Sequence, residues 1–320
     1  MNFVQIKTGS QDIDRRLDRV LRKLLPQIPL NEIYKHLRKG TIKVNSKKVQ
    51  QNYRIIKNDV IFLASHLLNN QFEKTVEQSY STKEKNLETI FCNEHIKVIN
   101  KPYGISVHKS NPKEISLAEI IASEYKKTHK NESLSFIPGP LHRLDKNTSG
   151  IVVFSQSLKG AQWFSENISL FTKEYIGIVR GNVEKAQYWI DFIDDVPKEK
   201  GSAFKTVRIS SSGKEARTKC TPLFHSFFNE VPVTLCNFII ETGRKHQIRA
   251  QSAFHGFHLL GDKIYGDDKK CQTDKFYLHA LRLSVPQNPI QIPEILEASL
   301  PPDFQNFLEL EMKYDFMMKL

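Results

Sequence analysis

Cysteine is scarce in this chain of 320 residues, which has only four. None of them forms a Cys-x-x-Cys pair, and their spacing fits neither a disulfide framework nor a zinc site. This usage favours a reducing, cytoplasmic setting, and we expect no bound metal. The four are Cys92, Cys220, Cys236 and Cys271.

Long apolar runs and nucleotide-binding signatures are missing too. No apolar run reaches the length of about 18 residues that a membrane-spanning helix needs, so we expect no membrane span. The first residues lack the apolar core of a secretory signal. No P-loop or dinucleotide fingerprint is present, so the sequence predicts a protein that needs no small-molecule cofactor.

Acidic residues are few in the N-terminal segment. Residues 1–66 hold 14 Lys and Arg against 5 Asp and Glu, so they carry +9 of the net charge of +12. Positive charge concentrated in a small segment is typical of a module that binds nucleic acid. The alternative is a small solvated domain with ordinary basic faces.

Apolar spacing predicts two helices in this segment. The first covers residues 13–25, with Ile13 at the start of its apolar face, and the second runs from about Leu30 to a stop at Gly40. The basic residues outside the apolar faces, which we expect to contact RNA, are Arg15, Arg16, Arg19, Arg22, Lys35, Arg38 and Lys39.

Short strands are predicted next, over residues 41–45, from Val49 onward and over 60–63. Two helices followed by the Thr-Ile-Lys-Val-Asn string at 41–45 resemble the S4 RNA-binding domain. The resemblance implies that a basic helical face lies on structured RNA, through phosphate contacts and shape.

The most informative stretch is residues 138–157. Arg143 and Asp145 stand on a polar turn that leads into a short apolar strand, residues 151–154. Catalytic groups need a rigid frame with open access, and a loop above a strand provides both. The alternative is a turn that Asp145 caps, with Arg143 as its ion-pair partner.

This stretch resembles the catalytic motif of the RluA-type RNA pseudouridine synthases, including those that modify large-subunit ribosomal RNA. The match consists of His-Arg-Leu-Asp at residues 142–145 and Thr-Ser-Gly at 148–150. The resemblance implies that Asp145 is the essential catalytic residue.

The resemblance also implies an α+β fold with two domains. A small S4-like domain, residues 1–66, precedes a polar linker, 67–86, and a catalytic domain, 87–320. The catalytic domain has the pseudouridine synthase fold, a mixed and mainly antiparallel sheet flanked by helices.

Two further segments resemble family motifs. Lys-Glu-Tyr at residues 173–175 matches a Lys-x-Tyr segment, which implies that Tyr175 lies in the active site against the target base. Asn-Lys-Pro-Tyr-Gly at 100–104 matches an Asn-Lys-Pro-x-Gly segment. There Lys101 either approaches RNA or has a structural role.

Residues 242–249 resemble the block Thr-Gly-Arg-x-His-Gln-Ile-Arg. This implies that Arg249 pairs with Asp145, keeping the carboxylate ionised and oriented. Residues 256–266 resemble a Gly-Asp-x-x-Tyr-Gly block, in which His258 replaces an expected proline. The residues predicted to contact the substrate are Arg143, Arg244 and Ile248, with Arg244 assigned to a phosphate.

The other elements follow from periodicity, except the strand over residues 278–283, which resembles the last strand of the family. Residues 183–215 are hydrophilic and show no regular pattern, and the three phenylalanines at 224, 227 and 228 are expected in the core. Helices are predicted over residues 116–125 and 158–167 and within 301–320. Another helix is predicted to follow the block at 242–249 and to end at about residue 254. Strands are predicted over residues 88–91, 96–100, 173–181, 216–221, 234–241 and 278–283.

We therefore predict a monomeric enzyme that isomerises uridines to pseudouridine in RNA, with structured ribosomal RNA favoured. Asp145 would attack C1′ of the ribose, attack C6 of the base, or remove a proton from C2′. Two alternatives remain. One is a non-catalytic, S4-type ribosome-associated RNA-binding protein, and the other is an RNA or DNA glycosidase with paired carboxylates.

Overall fold

The computed structural model describes residues 2–68, 87–109, 111, 113–129, 133–196, 206–266, 273 and 275–314. No helix in these ranges is long and apolar enough to cross a membrane. The chain divides into two compact units. The first comprises Met1–Lys85 and Glu119–Gly139, and the second comprises Asn86–Ala118 and Pro140–Leu320.

The first unit combines a small sheet with two helices. In chain order its elements are β1 (Phe3–Lys7), α1 (Leu17–Leu24), α2 (Leu30–Lys39), β2 (Ile42–Val44) and β3 (Val60–Ala64). The strands are antiparallel in the order β1-β3-β2. Both helices and the sheet share one buried apolar cluster, against which Leu134 also packs. The segment around Leu134 is therefore part of the core of this unit.

Helix α1 begins later than the sequence predicted, and Ile13 is 42% exposed rather than buried. The prediction for Ile13 was wrong because the preceding backbone pairs elsewhere. The N–H of Asp14 donates to the carbonyl of Ile55, and the N–H of Ile55 donates to the carbonyl of Arg15. These bonds hold the chain outside helical geometry until Leu17, which is fully buried.

Helix α2 ends as predicted. Gly40 adopts the left-handed conformation (φ 78°), and its N–H donates to the carbonyls of His36 and Leu37. The strand predicted from Val49 onward does not form. In that stretch the carbonyls of Gln51 and Tyr53 accept hydrogen bonds from the start of α1, so the backbone pairs with the helix instead of the sheet.

The second unit is built on a ten-stranded sheet within the described residues. The strands are β4 (Glu88–Cys92), β5 (Ile96–Lys101), β6 (Ser149–Ser155), β7 (Thr172–Arg180), β8 (Gln187–Asp195), β9 (Val207–Ile209), β10 (Lys214–Phe228), β11 (Val231–Ile240), β12 (Leu278–Ser284) and β13 (Ile295–Glu297). Their order is β4-β5-β6-β12-β7-β11-β10-β8-β9, with β13 paired to β12. The β6–β12 pair is parallel and the other described pairs are antiparallel, which confirms the predicted mixed, mainly antiparallel sheet.

Helices flank this sheet, as the α+β prediction requires. They are α4 (Leu158–Asn167), α5 (Gln247–Phe254) and α6 (Pro302–Asn306), the last continuing into a π-helical turn, Phe307–Glu311. Helix α3 (Leu117–Thr128) precedes them in the chain, and most of it belongs to the first unit. Helix α5 packs through Ala250 against β8, β9 and β10. The C-terminal segment packs through Phe304, Phe307 and Leu308, as predicted.

Two expectations for this unit were wrong. Residues 183–215 contain β8 and β9, which the sequence did not reveal because inward-facing residues such as Trp189 and Asp191 alternate with exposed apolar ones. Phe227 is 65% exposed, because it faces away from the side of β10 on which Phe224 and Phe228 pack. Cys271 and residues 315–320 lie outside the described residues.

Candidate active site

Asp145 lies on the loop that precedes β6. The loop is closed by a hydrogen bond of 3.1 Å from the N–H of Thr148 to the carbonyl of Asp145. Gly150, at the start of β6, has a φ of 107° and faces the backbone of Ala280 on β12. A Cβ at this position would come within 2.2 Å of the Ala280 carbonyl oxygen. Only glycine therefore allows the close parallel pairing that ends the loop.

Lys101 holds the same loop in place through hydrogen bonds from its buried side chain. Its side chain is fully buried, and its Nζ donates to the carbonyls of Pro102 (3.1 Å), Ile105 (2.9 Å) and Lys146 (3.0 Å). Burial lowers the pKa of Lys101 to about 7, although the charge of Asp145 acts to raise it. With all three donors directed at backbone oxygens, Lys101 has the structural role that the sequence left open.

Arg249 connects Asp145 to a second carboxylate. Its Nε and Nη2 donate to the two oxygens of Asp262 at 2.7 and 2.9 Å, and its Nη1 donates to Oδ2 of Asp145 at 3.1 Å. Burial acts to lower the pKa of Arg249, but hydrogen bonds and charge from both carboxylates raise it overall. Arg249 therefore stays a cation that orients Asp145.

Asp262 stands in one of the family-like strings of the sequence, but no role was predicted for it. It is 3% exposed and also accepts hydrogen bonds from the N–H groups of Ile264 and Tyr265. These contacts make it the anchor of Arg249. The Gly-Asp-x-x-Tyr-Gly string held the signal, since a buried Asp requires a cationic or hydrogen-bonding partner.

Tyr175 lies on β7, opposite Phe238 of β11 and Ala280 of β12. It is 8% exposed, and burial together with the charge of Asp145 raises the pKa of its hydroxyl. The phenol therefore remains protonated at neutral pH. Its ring lines the same cleft as Asp145 and supplies a flat face for stacking.

His246 is a further neighbour of Asp145 for which the sequence predicted no role. Its Nε2 lies 3.7 Å from Oδ1 of Asp145, and its Nδ1 lies 2.8 Å from the hydroxyl of Tyr265. Burial lowers the pKa of His246 to about 4, so the ring is neutral at pH 7. The Arg249 guanidinium lies 5.1 Å from the centre of the Tyr265 ring.

Gln247 holds the backbone of the loop that carries His246. Its side-chain oxygen accepts from the N–H of Arg244 (2.9 Å) and the hydroxyl of Thr242 (2.8 Å). Its amide nitrogen donates to the carbonyl of Arg217 and the hydroxyl of Thr218, both at 2.9 Å. The loop is therefore tied to β10, and the first turn of α5 presents Arg249 in a fixed direction.

The predicted substrate contacts line the same cleft. Arg143 is exposed, Ile248 is 5% exposed, and the Nε of Arg244 donates to the carbonyl of Glu215. His142 packs behind the cleft, where burial lowers its pKa to about 4 and its Nε2 accepts from the N–H of Val153. The cleft is lined by Arg143, Leu144, Asp145, Thr148, Tyr175, Ile240, Arg244, His246, Gln247, Ile248, Arg249 and Leu278.

A larger cavity of the same unit lies beside β11. It has a volume of about 470 Å³, against about 60 Å³ for the Asp145 cleft. Its charged lining residues are paired with one another, because Arg217 lies 2.8 Å from Glu215 and 3.8 Å from Glu241. The cleft with the fixed carboxylate is the better candidate for chemistry despite its size.

Comparison with known proteins identifies the family. Residues 95–254 match the model of the RNA pseudouridylate synthase family. A protein of Rickettsia bellii named "Ribosomal large subunit pseudouridine synthase C" is 30% identical over 93% of this chain and 99% of its own length. This chain belongs to the RNA pseudouridylate synthase family.

Other relatives of this family agree. A protein of Vibrio vulnificus with the same name is 26% identical over 88% of this chain and 90% of its own length. Among solved structures, human RNA pseudouridylate synthase domain containing 4 aligns with a TM-score of 0.54 at 23% identity, covering 69% of this chain and 91% of its own. Human RNA pseudouridylate synthase domain containing 1 aligns with a TM-score of 0.55 at 21% identity, covering 70% and 86%. These two likenesses concern the fold.

Metal ligation finds no support among the residues that the structure describes, where no group of three or more His, Cys, Asp or Glu side chains is placed to hold an ion. Asp262 is bound by Arg249, and Nε2 of His255 lies 3.0 Å from Asp191. Each of these polar side chains is therefore engaged by another protein side chain.

The basic residues predicted to contact RNA in the first unit fall into two groups. Arg16 donates two hydrogen bonds to Asp18, and Lys35 pairs with Glu32. Arg15 is half-buried and donates to Ser135, and burial lowers its pKa. Four others have exposed side chains on α1 and α2 and are the better candidates for phosphate contacts: Arg19, Arg22, Arg38 and Lys39.

Proposed function

We propose that this pseudouridine synthase modifies uridines of large-subunit ribosomal RNA and that Asp145 is its catalytic carboxylate. The catalytic role of Asp145 is supported by the different surroundings of its two carboxylate oxygens. Oδ2 is held by Arg249, while Oδ1 is turned toward a cleft that Tyr175 and His246 also line. The carboxylate is thus fixed at one oxygen and has the other toward the substrate space.

The reaction of the family is an isomerisation, so it consumes no co-reactant. The bond between N1 of uracil and C1′ of the ribose breaks, the base turns, and C5 bonds to C1′. The proton on C5 leaves and N1 gains a proton, so the atoms and electrons of the nucleoside balance.

Asp145 serves this reaction by attacking C1′, attacking C6 or removing a proton from C2′. Each of these steps requires a negative carboxylate, the form that a neighbouring guanidinium stabilises. Breaking the glycosidic bond also builds positive charge on the ribose. Asp145, Asp262 and Arg249 have a combined formal charge of −1 when all three are ionised, which favours that positive charge.

The target uridine has to leave its stack, which costs roughly a few kcal/mol. Stacking on Tyr175 offsets part of this cost, at about 1–3 kcal/mol for a base on an aromatic ring. The protonated phenol adds a hydrogen-bond donor. Arg143 lines the cleft and is exposed, which supports a contact with the RNA strand from which the base departs.

A glycosidase mechanism receives less support. Hydrolysis with paired carboxylates needs a second carboxyl group that can give or take a proton. Asp262 is the other carboxylate bound to Arg249, but both of its oxygens accept hydrogen bonds from that arginine. With both oxygens engaged by the arginine, Asp262 is poorly placed to act as a general acid.

The choice of ribosomal RNA rests on the relatives named for the large ribosomal subunit and on the basic first unit. We propose that this unit is an S4-like module that lies on folded RNA and that the protein acts as a cytoplasmic monomer. The exposed arginines and Lys39 of α1 and α2 would contact phosphates, which gives affinity without reading base edges.

Product analysis tests the function. Purified protein is incubated with a large-subunit ribosomal RNA transcript, and the nucleosides are identified after digestion. We expect pseudouridine from the wild-type protein and unmodified uridine from Asp145→Asn. An abasic site would identify a glycosidase, and unmodified RNA bound by both proteins would identify a non-catalytic RNA-binding protein.

A further inference from the structure

His246 occupies an unusual backbone position beside the catalytic carboxylate. It has a φ of 51° and a ψ of 23°, the left-handed region that residues with a Cβ rarely adopt. Its carbonyl accepts the N–H of Ala250 at 2.8 Å and thereby starts the helix that carries Arg249. The orientation of the imidazole is thus coupled to the same helix turn as the arginine that holds Asp145.

The hydrogen bonds of Tyr265 favour one ring nitrogen of His246 as the site of the proton. The N–H of Val207 donates to the Tyr265 hydroxyl oxygen at 3.0 Å, so that oxygen already acts as an acceptor. The hydroxyl proton then points to Nδ1 of His246 at 2.8 Å, the acceptor that the described residues offer it. A neutral imidazole that accepts at Nδ1 has its proton on Nε2.

The Nε2–H of His246 faces the oxygen of Asp145 that Arg249 does not hold. Arg249 donates to Oδ2, whereas Nε2 of His246 lies 3.7 Å from Oδ1. This separation exceeds that of a hydrogen bond, but catalytic hydrogen bonds are often long without substrate and tighten when it binds. A small movement of either side chain would make Nε2–H a donor to Oδ1.

We propose that Tyr265 and His246 form a second clamp on Asp145, in which Tyr265 fixes the tautomer and the Nε2–H of His246 positions Oδ1 for reaction. This inference rests on the proposed catalytic role of Asp145. His246 acts through Asp145 and is therefore a positioning residue. With Arg249 on the other oxygen, the two donors set the plane of the carboxylate relative to the bound uridine.

Two substitutions of His246 separate positioning from folding. Asn tolerates left-handed backbone well, but its amide reaches only the place of Nδ1. Gln is longer and brings an amide N–H to the place of Nε2. We expect His246→Asn to lower the single-turnover rate at saturating RNA by about 100-fold, the cost of a misplaced reacting group. His246→Gln should be at least about tenfold faster than His246→Asn, with RNA affinity unchanged in both.

The tautomer is measured directly by ¹⁵N NMR of histidine-labelled, full-length protein. We expect the proton of His246 on Nε2 in the wild type and a mixture of tautomers in Tyr265→Phe, whose single-turnover rate should also fall. A proton on Nδ1 in the wild type would overturn the proposal. Equal rates for His246→Asn and His246→Gln would overturn it as well.

These experiments distinguish a failure of the clamp from a failure of the proposed function. If the wild type forms pseudouridine and Asp145→Asn does not, while His246→Asn reacts at the wild-type rate, the function stands and the clamp fails. If the wild type forms no pseudouridine, the function fails on the product assay, and the NMR experiment still decides the tautomer.

Discussion

Arg249 donates two hydrogen bonds to Asp262 and one to Asp145, so a single buried cation binds two carboxylates at once. The shorter contacts are to Asp262, at 2.7 and 2.9 Å, against 3.1 Å to Asp145. The side chain of Asp262 is 1% exposed and that of Asp145 is 17% exposed. The arrangement thus leaves Asp145 accessible while its partner stays fixed.

Replacing Asp145 by Asn should abolish isomerisation and leave RNA binding intact, because the amide keeps the shape of the side chain and loses its charge. RNA binding is measured by titration, and product formation by nucleoside analysis of the same samples. Normal turnover by Asp145→Asn would remove Asp145 from its catalytic role.

Replacing Arg249 by Ala should strongly lower activity and destabilise the fold by about 3–5 kcal/mol, because breaking a buried ion pair leaves uncompensated charge. Here two carboxylates lose their cation. Denaturant unfolding measures the stability, and Arg249→Lys is the matched control that keeps the charge but loses the bidentate contact with Asp262. Activity within a factor of about two of wild type in Arg249→Ala would contradict the pairing with Asp145.

The role of the basic first unit in RNA binding is best tested by removing positive charges from it. Deleting residues 1–66 would be expected to spare the chemical step, but Leu134 packs against the core of the first unit, so deletion also uncovers apolar surface. Replacing four exposed residues with Gln should instead reduce the salt slope of RNA binding by up to about 3 units, at roughly 0.7–0.9 for each phosphate that is no longer neutralised. The four are Arg19, Arg22, Arg38 and Lys39.

The matched control removes the same charge from exposed lysines of the second unit. Binding is measured against salt concentration, and single-turnover rates are measured at saturating RNA. A slope that falls equally in both variants would deny the first unit a special role, and a collapsed saturating rate would indicate that this unit shapes the active site. The control lysines are Lys159, Lys185, Lys214 and Lys219.

Acid should destabilise the second unit through three histidines that are neutral in the folded protein. Burial lowers the pKa of His142, His246 and His279 to about 4, from the ordinary value of 6.5. Between these values the unfolded chain binds protons that the folded chain does not. The free energy of unfolding therefore falls as the pH drops from about 6.5 to about 4, by up to about 3 kcal/mol per histidine.

Urea unfolding at pH 7 and pH 4.5 measures this loss. His279→Gln should weaken the pH dependence, while the exposed His108, replaced in the same way, should leave it unchanged. An equal pH dependence in His279→Gln and the wild type would show that His279 does not contribute.

Gly150→Ala should destabilise the protein and inactivate it. The added Cβ would meet the Ala280 carbonyl oxygen at 2.2 Å, and the φ of 107° is unfavourable for any residue with a side chain. Gly139→Ala is the matched control, since nothing lies within 4 Å of a Cβ there. Thermal unfolding of both variants is the measurement, and similar melting temperatures would show that the strands can separate without cost.

Local sequence patterns predicted the parts of the site that motifs specify. The strings around Asp145, Tyr175 and Arg249 pointed to residues that the structure brings to one cleft. The structure contains the predicted pair of Arg249 and Asp145 and adds the contact of Arg249 with Asp262, which the sequence did not predict because it depends on how α5 meets the following loop. The contact of His246 with the Tyr265 hydroxyl, contributed 19 positions later, was likewise not visible in the sequence.

The sequence predicted those strands and helices that bury one face and expose the other. It did not predict helix boundaries that depend on hydrogen bonds to distant backbone, as at Ile13, whose neighbours pair with Ile55. The sequence did not predict β8, because its outward face is apolar too, with Ile190 52% exposed. Polar and apolar residues therefore do not alternate along this strand. Propensity and periodicity have no access to such tertiary contacts.

The parallel pair of β6 and β12 has a consequence for synthesis of the chain. Ser149 and His279 meet across 130 positions, and Arg249 reaches Asp145 across 104. During translation, Asp145 is therefore synthesised long before β12, the strand that pairs with β6 next to its loop. Contacts so distant in sequence form late in folding. Chains that stop before Leu278 should accordingly be inactive, and in refolding the return of activity should coincide with the slowest phase seen by tryptophan fluorescence.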